Sequence, residues 1–84
     1  MTETTDKSDV TIYWRPGCGY CSRLRADLGA AADAATWRNI WEDDQARSYV
    51  ASVNNGNEIV PTVVIAGKAH TNPKPDLVLA ALVS

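Results

Sequence analysis

The chain has 84 residues, a formal net charge of −2 and a hydrophobic content of 45%, which allows one small domain and no second unit with its own core. Twelve of the apolar residues are Ala, so the core rests on seventeen Val, Ile and Leu with three Trp and three Tyr. The eight Lys and Arg are scattered, leaving no basic stripe to follow a nucleic-acid backbone, and the longest uncharged apolar stretch, 77–83, is far short of the roughly 20 residues of a membrane span. With a polar start and no signal peptide, the expected location is the cytoplasm.

Residues 1–9 lack hydrophobic periodicity and are expected to form a disordered leader to a single domain over 10–84. Val10-Thr11-Ile12-Tyr13-Trp14 alternates β-branched and aromatic residues before Arg15-Pro16-Gly17, as a strand entering a turn does. Cys21, Leu24, Leu28, Ala31 and Ala32 then recur at spacings of three and four, the mark of an amphipathic helix with Cys18 at its mouth. Residues 36–41 read as a second strand. Asp43 or Asp44 offers an N-cap to a second helix with Ala46, Tyr49, Val50 and Val53 on its buried face, ending in Asn54-Asn55-Gly56. Residues 62–66 are apolar enough for a strand covered on both faces. Gly67 turns the chain into a short fourth strand, 68–71. In the last helix Asn72 is the expected cap, Pro73 the first helical residue, and Leu77, Val78, Ala81 and Leu82 the buried side. The order is β-α-β-α-β-β-α, an α/β domain.

Chemistry concentrates at Cys18-Gly19-Tyr20-Cys21, between a strand and a helix of a β-α-β unit, the setting of a redox pair. A bridge three residues long staples almost nothing, so the pair is read as reactive. At a helix N-terminus, unpaired N–H groups and the positive end of the dipole favour a thiolate. Cys18 is therefore the expected attacker. Arg15, three residues earlier, is a candidate positive neighbour. Cys21, on the apolar stripe, is expected to be poorly exposed and to resolve rather than attack.

Rival readings are weaker. Zinc needs four ligands, and the chain supplies at most Cys18, Cys21 and His70, so no metal is expected. A [2Fe–2S] cluster shared between two chains through Cys18 has no positive sign. Gly17-x-Gly19-x-x-Ser22, with Glu42 further on, imitates a dinucleotide fingerprint, but Ser22 replaces the third glycine and the chain is too short for the two-halved sheet. His70 reads as a partly exposed edge residue, and Trp37 and Trp41 as packing residues on one face of the second strand. Val60-Pro61 at the start of the third strand reads as ordinary punctuation with a trans bond.

Cys18-Gly19-Tyr20-Cys21, then Val60-Pro61-Thr62, then Thr71-Asn72-Pro73 together resemble the glutaredoxins, and among them the actinobacterial mycoredoxins, over roughly residues 10–82. The resemblance implies a thioredoxin-like, four-stranded mixed sheet in the order 2-1-3-4 with three helices. It implies a cis Val60-Pro61 bond that brings the Val60 backbone beside Cys18, with Tyr20 lining the groove and Thr71 and Asn72 contacting the carboxylate or sugar side of a thiol substrate. Gly19 stands where many glutaredoxins carry Pro, and Gly17 where mycoredoxins often carry an aromatic residue, leaving Trp14, Arg15 and Pro16 to form that wall.

The expected activity is thiol-disulfide exchange that removes a low-molecular-weight thiol from S-thiolated client proteins. By resemblance the thiol is mycothiol, with glutathione the other candidate. It acts as co-substrate, and no bound cofactor is expected. The expected site is Cys18 and Cys21 for catalysis, with Arg15, Tyr20, Val60, Pro61, Thr71 and Asn72 for binding, in a monomer recycled by free thiol or by a flavin-dependent disulfide reductase. A dithiol donor to ribonucleotide reductase or a peroxidase is the alternative within enzymes. A cluster-binding or scaffold module is the alternative outside them.

Overall fold

A computed structural model describes residues 9–83 of the chain. The expected leader therefore lies outside the described residues except for Asp9, whose carbonyl accepts the Ala66 N–H at 2.9 Å. Strand β1 (Val10–Trp14) is central. It pairs in parallel with β2 (Thr36–Asn39) and antiparallel with β3 (Thr62–Ile65), which pairs antiparallel with β4 (Lys68–Thr71), giving the order β2-β1-β3-β4. This is the expected mixed sheet. Helices α1 (Gly19–Leu28), α2 (Asp44–Val53) and α3 (Pro75–Val83) complete the α/β domain.

Because strand side chains alternate between faces, β1 feeds two separate cores. Val10 and Ile12 join Leu24, Leu28, Ala32, Val63 and Val78 in one. Tyr13 joins Ile40, Ala46, Val50 and Val60 in the other, together with Cys18 and Cys21. The apolar stripe of α1 crosses between them, with Cys21 in the second core and Leu24 and Leu28 in the first.

Several elements differ from the sequence expectation, each for a local reason. The helix expected to run through Ala32 ends as an α-helix at Leu28 and continues as a 3₁₀ helix (Gly29–Ala34), because Gly29 takes φ +58°, open only to residues tolerant of the left-handed half of the map. β2 stops at Asn39 rather than 41. The Asn39 side chain accepts the Trp41 N–H at 2.9 Å and its carbonyl the Glu42 N–H at 3.1 Å, an Asx-type turn. Trp37 therefore packs against the first core, whereas Trp41, expected beside it, is 60% exposed. Val53, expected on the buried face of α2, is exposed at that helix's last turn. β3 ends at Ile65, one residue early, since Ala66 and Gly67 both take positive φ in the hairpin turn.

α3 begins at Pro75, not Pro73. A residue before proline is pushed out of the α region, and here that applies to both Asn72 and Lys74. Asn72 sits at φ +48° and does not cap the helix. Pro75 takes the first helical position, which lacks an intrahelical N–H partner in any case. The shift leaves Leu77 exposed and Val78 fully buried, with Leu79, Ala81 and Leu82 packed against the first core.

Asp43 caps α2, its Oδ1 accepting the Ala46 N–H at 3.0 Å while Oδ2 accepts Arg38 Nη2 at 2.6 Å and Nε at 3.0 Å. The Arg38 bond first, then the Ala46 N–H, hold the Asp43 carboxyl below its ordinary value. Its contribution is thus present above the usual carboxylate range and disappears as pH falls through the lowered value. Asp43→Ala is expected to lower the melting temperature at pH 7, by a margin that shrinks on acidification, followed by circular dichroism. Leu24→Ala, at a side chain only 3% exposed, is expected to cost roughly 2–5 kcal/mol in urea unfolding.

Candidate active site

Cys18 is the N-cap of α1, with extended backbone, φ −89° and ψ 111°. Its Sγ accepts the Cys21 N–H at 3.2 Å, the place an Asp, Ser or Thr oxygen usually fills. The sulfur expected to attack therefore faces the open N–H groups of the helix. On its other side lies the Val60 carbonyl, 3.7 Å away, to which the Cys18 S–H donates.

Both cysteines are unbridged and both are largely covered, Cys18 at 6% and Cys21 at 4% exposure. The expectation that Cys21 alone is withdrawn from solvent is therefore corrected. Glycines on either side leave the approach to Cys18 thin-walled. A Cβ at Gly19 would meet nothing within 4 Å, and one at Gly17 only the Arg15 Nη1 at 3.8 Å.

The two thiols are separated by chemistry more than by exposure. Burial first, then the bond to Cys18, push the Cys21 thiol up from 9.0 to about 12, with a lesser push from the charge of that sulfur, while the Arg15 backbone N–H and guanidinium pull the other way. Cys21 therefore keeps its proton, and its N–H points at Cys18 Sγ.

Val60-Pro61 is cis, as the resemblance implied and against the bland reading. Both residues are buried. The Pro61 carbonyl accepts the Asn72 N–H at 2.8 Å, so β3 and the end of β4 meet beside the cysteine pair. Thr71 is exposed there, and its hydroxyl donates to Asn54 Oδ1 at 2.6 Å. Tyr20, 66% exposed, lines a groove of about 80 Å³ with Asn72, Pro73 and Arg23. Cys18, Cys21, Val60, Pro61, Thr71, Asn72 and Tyr20 thus gather at one end of the sheet. Arg15 lies at the margin, its Nη1 donating to the Pro16 carbonyl at 3.1 Å and its guanidinium 5.6 Å from the centre of the exposed Trp41 ring.

The comparisons fit this geometry. The glutaredoxin family model matches residues 10–70. The chain belongs to the glutaredoxin family. Among its relatives, Mycoredoxin 1 of Corynebacterium glutamicum is 40% identical over 77 residues, 89% of this chain and 94% of that one. A Mycobacterium tuberculosis protein, Rv3198A, provisionally named a glutaredoxin, is 45% identical over 75 residues, 88% of this chain and 89% of its own length. This glutaredoxin is accordingly a thiol-disulfide oxidoreductase with a thioredoxin-like fold. Among the described residues no helix is long and apolar enough to cross a membrane.

Sequence reasoning missed Asn54. It reads as a helix terminator, yet it is 8% exposed and its amide donates to the Val50 carbonyl at 2.8 Å and to Thr62 Oγ1 at 3.2 Å. Its side-chain partners Thr62 and Thr71 lie 8 and 17 residues away, beyond any local signal.

The raised Cys21 thiol has a consequence for stability. Above about pH 9 the unfolded chain releases this proton and the folded chain does not, so stability falls as pH rises from about 9 toward about 12. Cys21→Ala is expected to flatten that decline in melting temperature relative to the parent protein, since other groups titrating there are common to both.

Proposed function

We propose that this glutaredoxin removes a low-molecular-weight thiol, mycothiol, from mixed disulfides with cytoplasmic proteins, and that Cys18-Gly19-Tyr20-Cys21 is its reaction centre. The observation that carries the reading is the one-sided bonding of the pair: Cys21 holds its proton and gives its N–H to Cys18 Sγ at the open end of α1. Cys18 is therefore the sulfur prepared to hold negative charge, and the thiolate is the nucleophile. The name of the Corynebacterium relative, Mycoredoxin 1, supports mycothiol as the carrier.

In the first step the Cys18 thiolate attacks the carrier's sulfur. A Cys18–carrier disulfide forms, the carrier–protein S–S bond breaks, and the client leaves as a thiolate that takes a proton from water. Cys18 has by then lost the proton it shared with the Val60 carbonyl, and that carbonyl becomes available to an N–H of the carrier. Val60, Pro61, Tyr20, Asn72 and Thr71 flank the bound thiol, and Arg15 supplies positive charge at the margin. The thiol is a co-substrate, and no resident cofactor takes part.

In the second step a free carrier thiolate attacks the adduct, yielding the carrier disulfide and restoring Cys18. A flavin-dependent reductase is the class of enzyme that then reduces the carrier disulfide. Cys21 is the slower resolver. Capping Cys18 removes both the S–H bond and the charge that raise its pKa, yet desolvation, the largest cause, remains. One thiol per monomer is enough for this cycle.

Cys18→Ser is expected to abolish reduction of a protein–mycothiol mixed disulfide, whereas Cys21→Ser retains most of the turnover when free mycothiol is supplied. Equal loss in both variants would overturn the monothiol route and favour a dithiol donor. In a separate measurement, iodoacetamide at pH 7 followed by peptide mass spectrometry is expected to label Cys18 well ahead of Cys21. Labelling confined to Cys21, or none at either sulfur, would refute the assignment of the nucleophile.

A further inference from the structure

Trp41 belongs to neither core and is 60% exposed, so packing does not account for its position. The backbone does. β1 and β2 run parallel with Trp14 opposite Asn39, and the Ile40 N–H donates to the Trp14 carbonyl at 2.9 Å, so the two strands leave the sheet side by side. Asn39 then turns the chain, its Oδ1 accepting the Trp41 N–H at 2.9 Å. Just beyond the tied ends come Arg15 and Trp41, and the Arg15 guanidinium lies 5.6 Å from the centre of the Trp41 ring, within reach of a cation–π contact. Arg15 Nη1 donates to the Pro16 carbonyl at 3.1 Å, and a Cβ on Gly17 would stand 3.8 Å from the same nitrogen. The guanidinium is thus held beside the residue that precedes Cys18. Arg38 and Arg47 are ion-paired with Asp43 and Asp44, whereas among the described residues Arg15 has no carboxylate partner. Its charge is left for the site.

We infer that Trp41 is a positioning residue: its indole face fixes the Arg15 guanidinium at the approach to Cys18, and the charge held there speeds the arrival of a negatively charged reactant at this sulfur over a neutral one of similar size. A free arginine side chain has many rotamers, and a planar ring against its planar guanidinium removes most of them. Without the ring, one exposed bond to the Pro16 carbonyl is all that restrains the guanidinium, and a charge that swings out into solvent is screened from the sulfurs. In place, it reaches them. The Arg15 charge is among the influences that lower the Cys21 thiol. The inference rests on the proposed reading of Cys18 as the attacking sulfur and adds to it a residue that acts through another.

The test alkylates Cys18 at pH 7 and low salt with iodoacetamide, which is neutral, or with iodoacetate, which is anionic, and reads the two rates by peptide mass spectrometry. Both reagents use the same thiolate, so their ratio cancels any change in its amount and reports the charge on the path. Trp41→Leu is expected to lower the iodoacetate-to-iodoacetamide ratio roughly two- to fivefold, the scale of one exposed cation–π contact. Trp41→Phe, which keeps a ring, is expected to lower it less. Arg15→Gln is expected to lower the ratio at least as far as Trp41→Leu, and adding Trp41→Leu to Arg15→Gln to change nothing more, as for two residues that act through one contact. A merely structural role for Trp41 would move the ratio in either background. In the wild-type protein, NMR is expected to show the Arg15 side-chain protons displaced upfield by the indole ring current, a measurement that no misfolded variant can spoil. An unmoved ratio in Trp41→Leu, an equal fall in the Arg15→Gln background, Trp41→Phe no better than Trp41→Leu, or undisplaced Arg15 protons would overturn the inference. Absence of labelling at Cys18 by either reagent would instead overturn the proposed function itself.

Discussion

The N–H of Cys21 approaches Cys18 Sγ at 3.2 Å, and this sulfur-capped helix end is the constraint on which the rest of the site depends. A capping oxygen is a passive acceptor. A capping sulfur can also be a nucleophile, so in the proposed reading the atom that finishes the helix is the atom that reacts. The arrangement needs α1 held firmly from behind, and the crossing of its stripe between two cores does that, with Leu24 and Leu28 anchored in one core and Cys21 in the other. It also needs a short approach, which the exposed glycines before and after Cys18 leave open. A larger side chain at either position would lengthen the path to a residue that is already 6% exposed.

From that cap follows a division of labour between two chemically identical groups. Burial favours the neutral thiol, and at Cys21 it is the largest influence, reinforced by the neighbouring sulfur. A resolving thiol with a pKa of about 12 is scarcely ionised at neutral pH, whereas the most effective attacking thiol has a pKa near ambient pH. The second cysteine is therefore better suited to steadying the first, through its N–H, than to competing with it. That favours a cycle completed by an external thiol, whose sulfur arrives solvated and can ionise before it reaches the adduct.

What the sequence reveals is what local chemistry decides. The cap of α2, open to Asp43 or Asp44 in the sequence and taken by Asp43, the period-two pattern of β1 and the cysteine spacing each depend on residues within a turn of one another. Errors arise where two local rules compete. Asn72-Pro73 has the form of a cap and first residue, but Pro75 imposes its own restriction on Lys74 and moves the start of α3 by two residues. Trp41 continues a strand pattern that the Asn39 side chain terminates. The last class is beyond local reading altogether. Nothing near Asn54 shows that its amide joins α2, β3 and the end of β4, because those partners meet only after the sheet has formed.

That non-local amide also decides which way a surface hydroxyl points, and magnitudes show why the direction holds. To turn its proton outward, Thr71 must leave Asn54 Oδ1 without a donor in a site where the residue is 8% exposed. An orphaned buried acceptor costs about 1–3 kcal/mol. The inward bond therefore persists, and with the Asn54 bonds to the Val50 carbonyl and to Thr62 it ties the end of β4 to α2 and β3. The strand end beside Val60 and Pro61 is thus held by the need of one buried side chain to keep its partners.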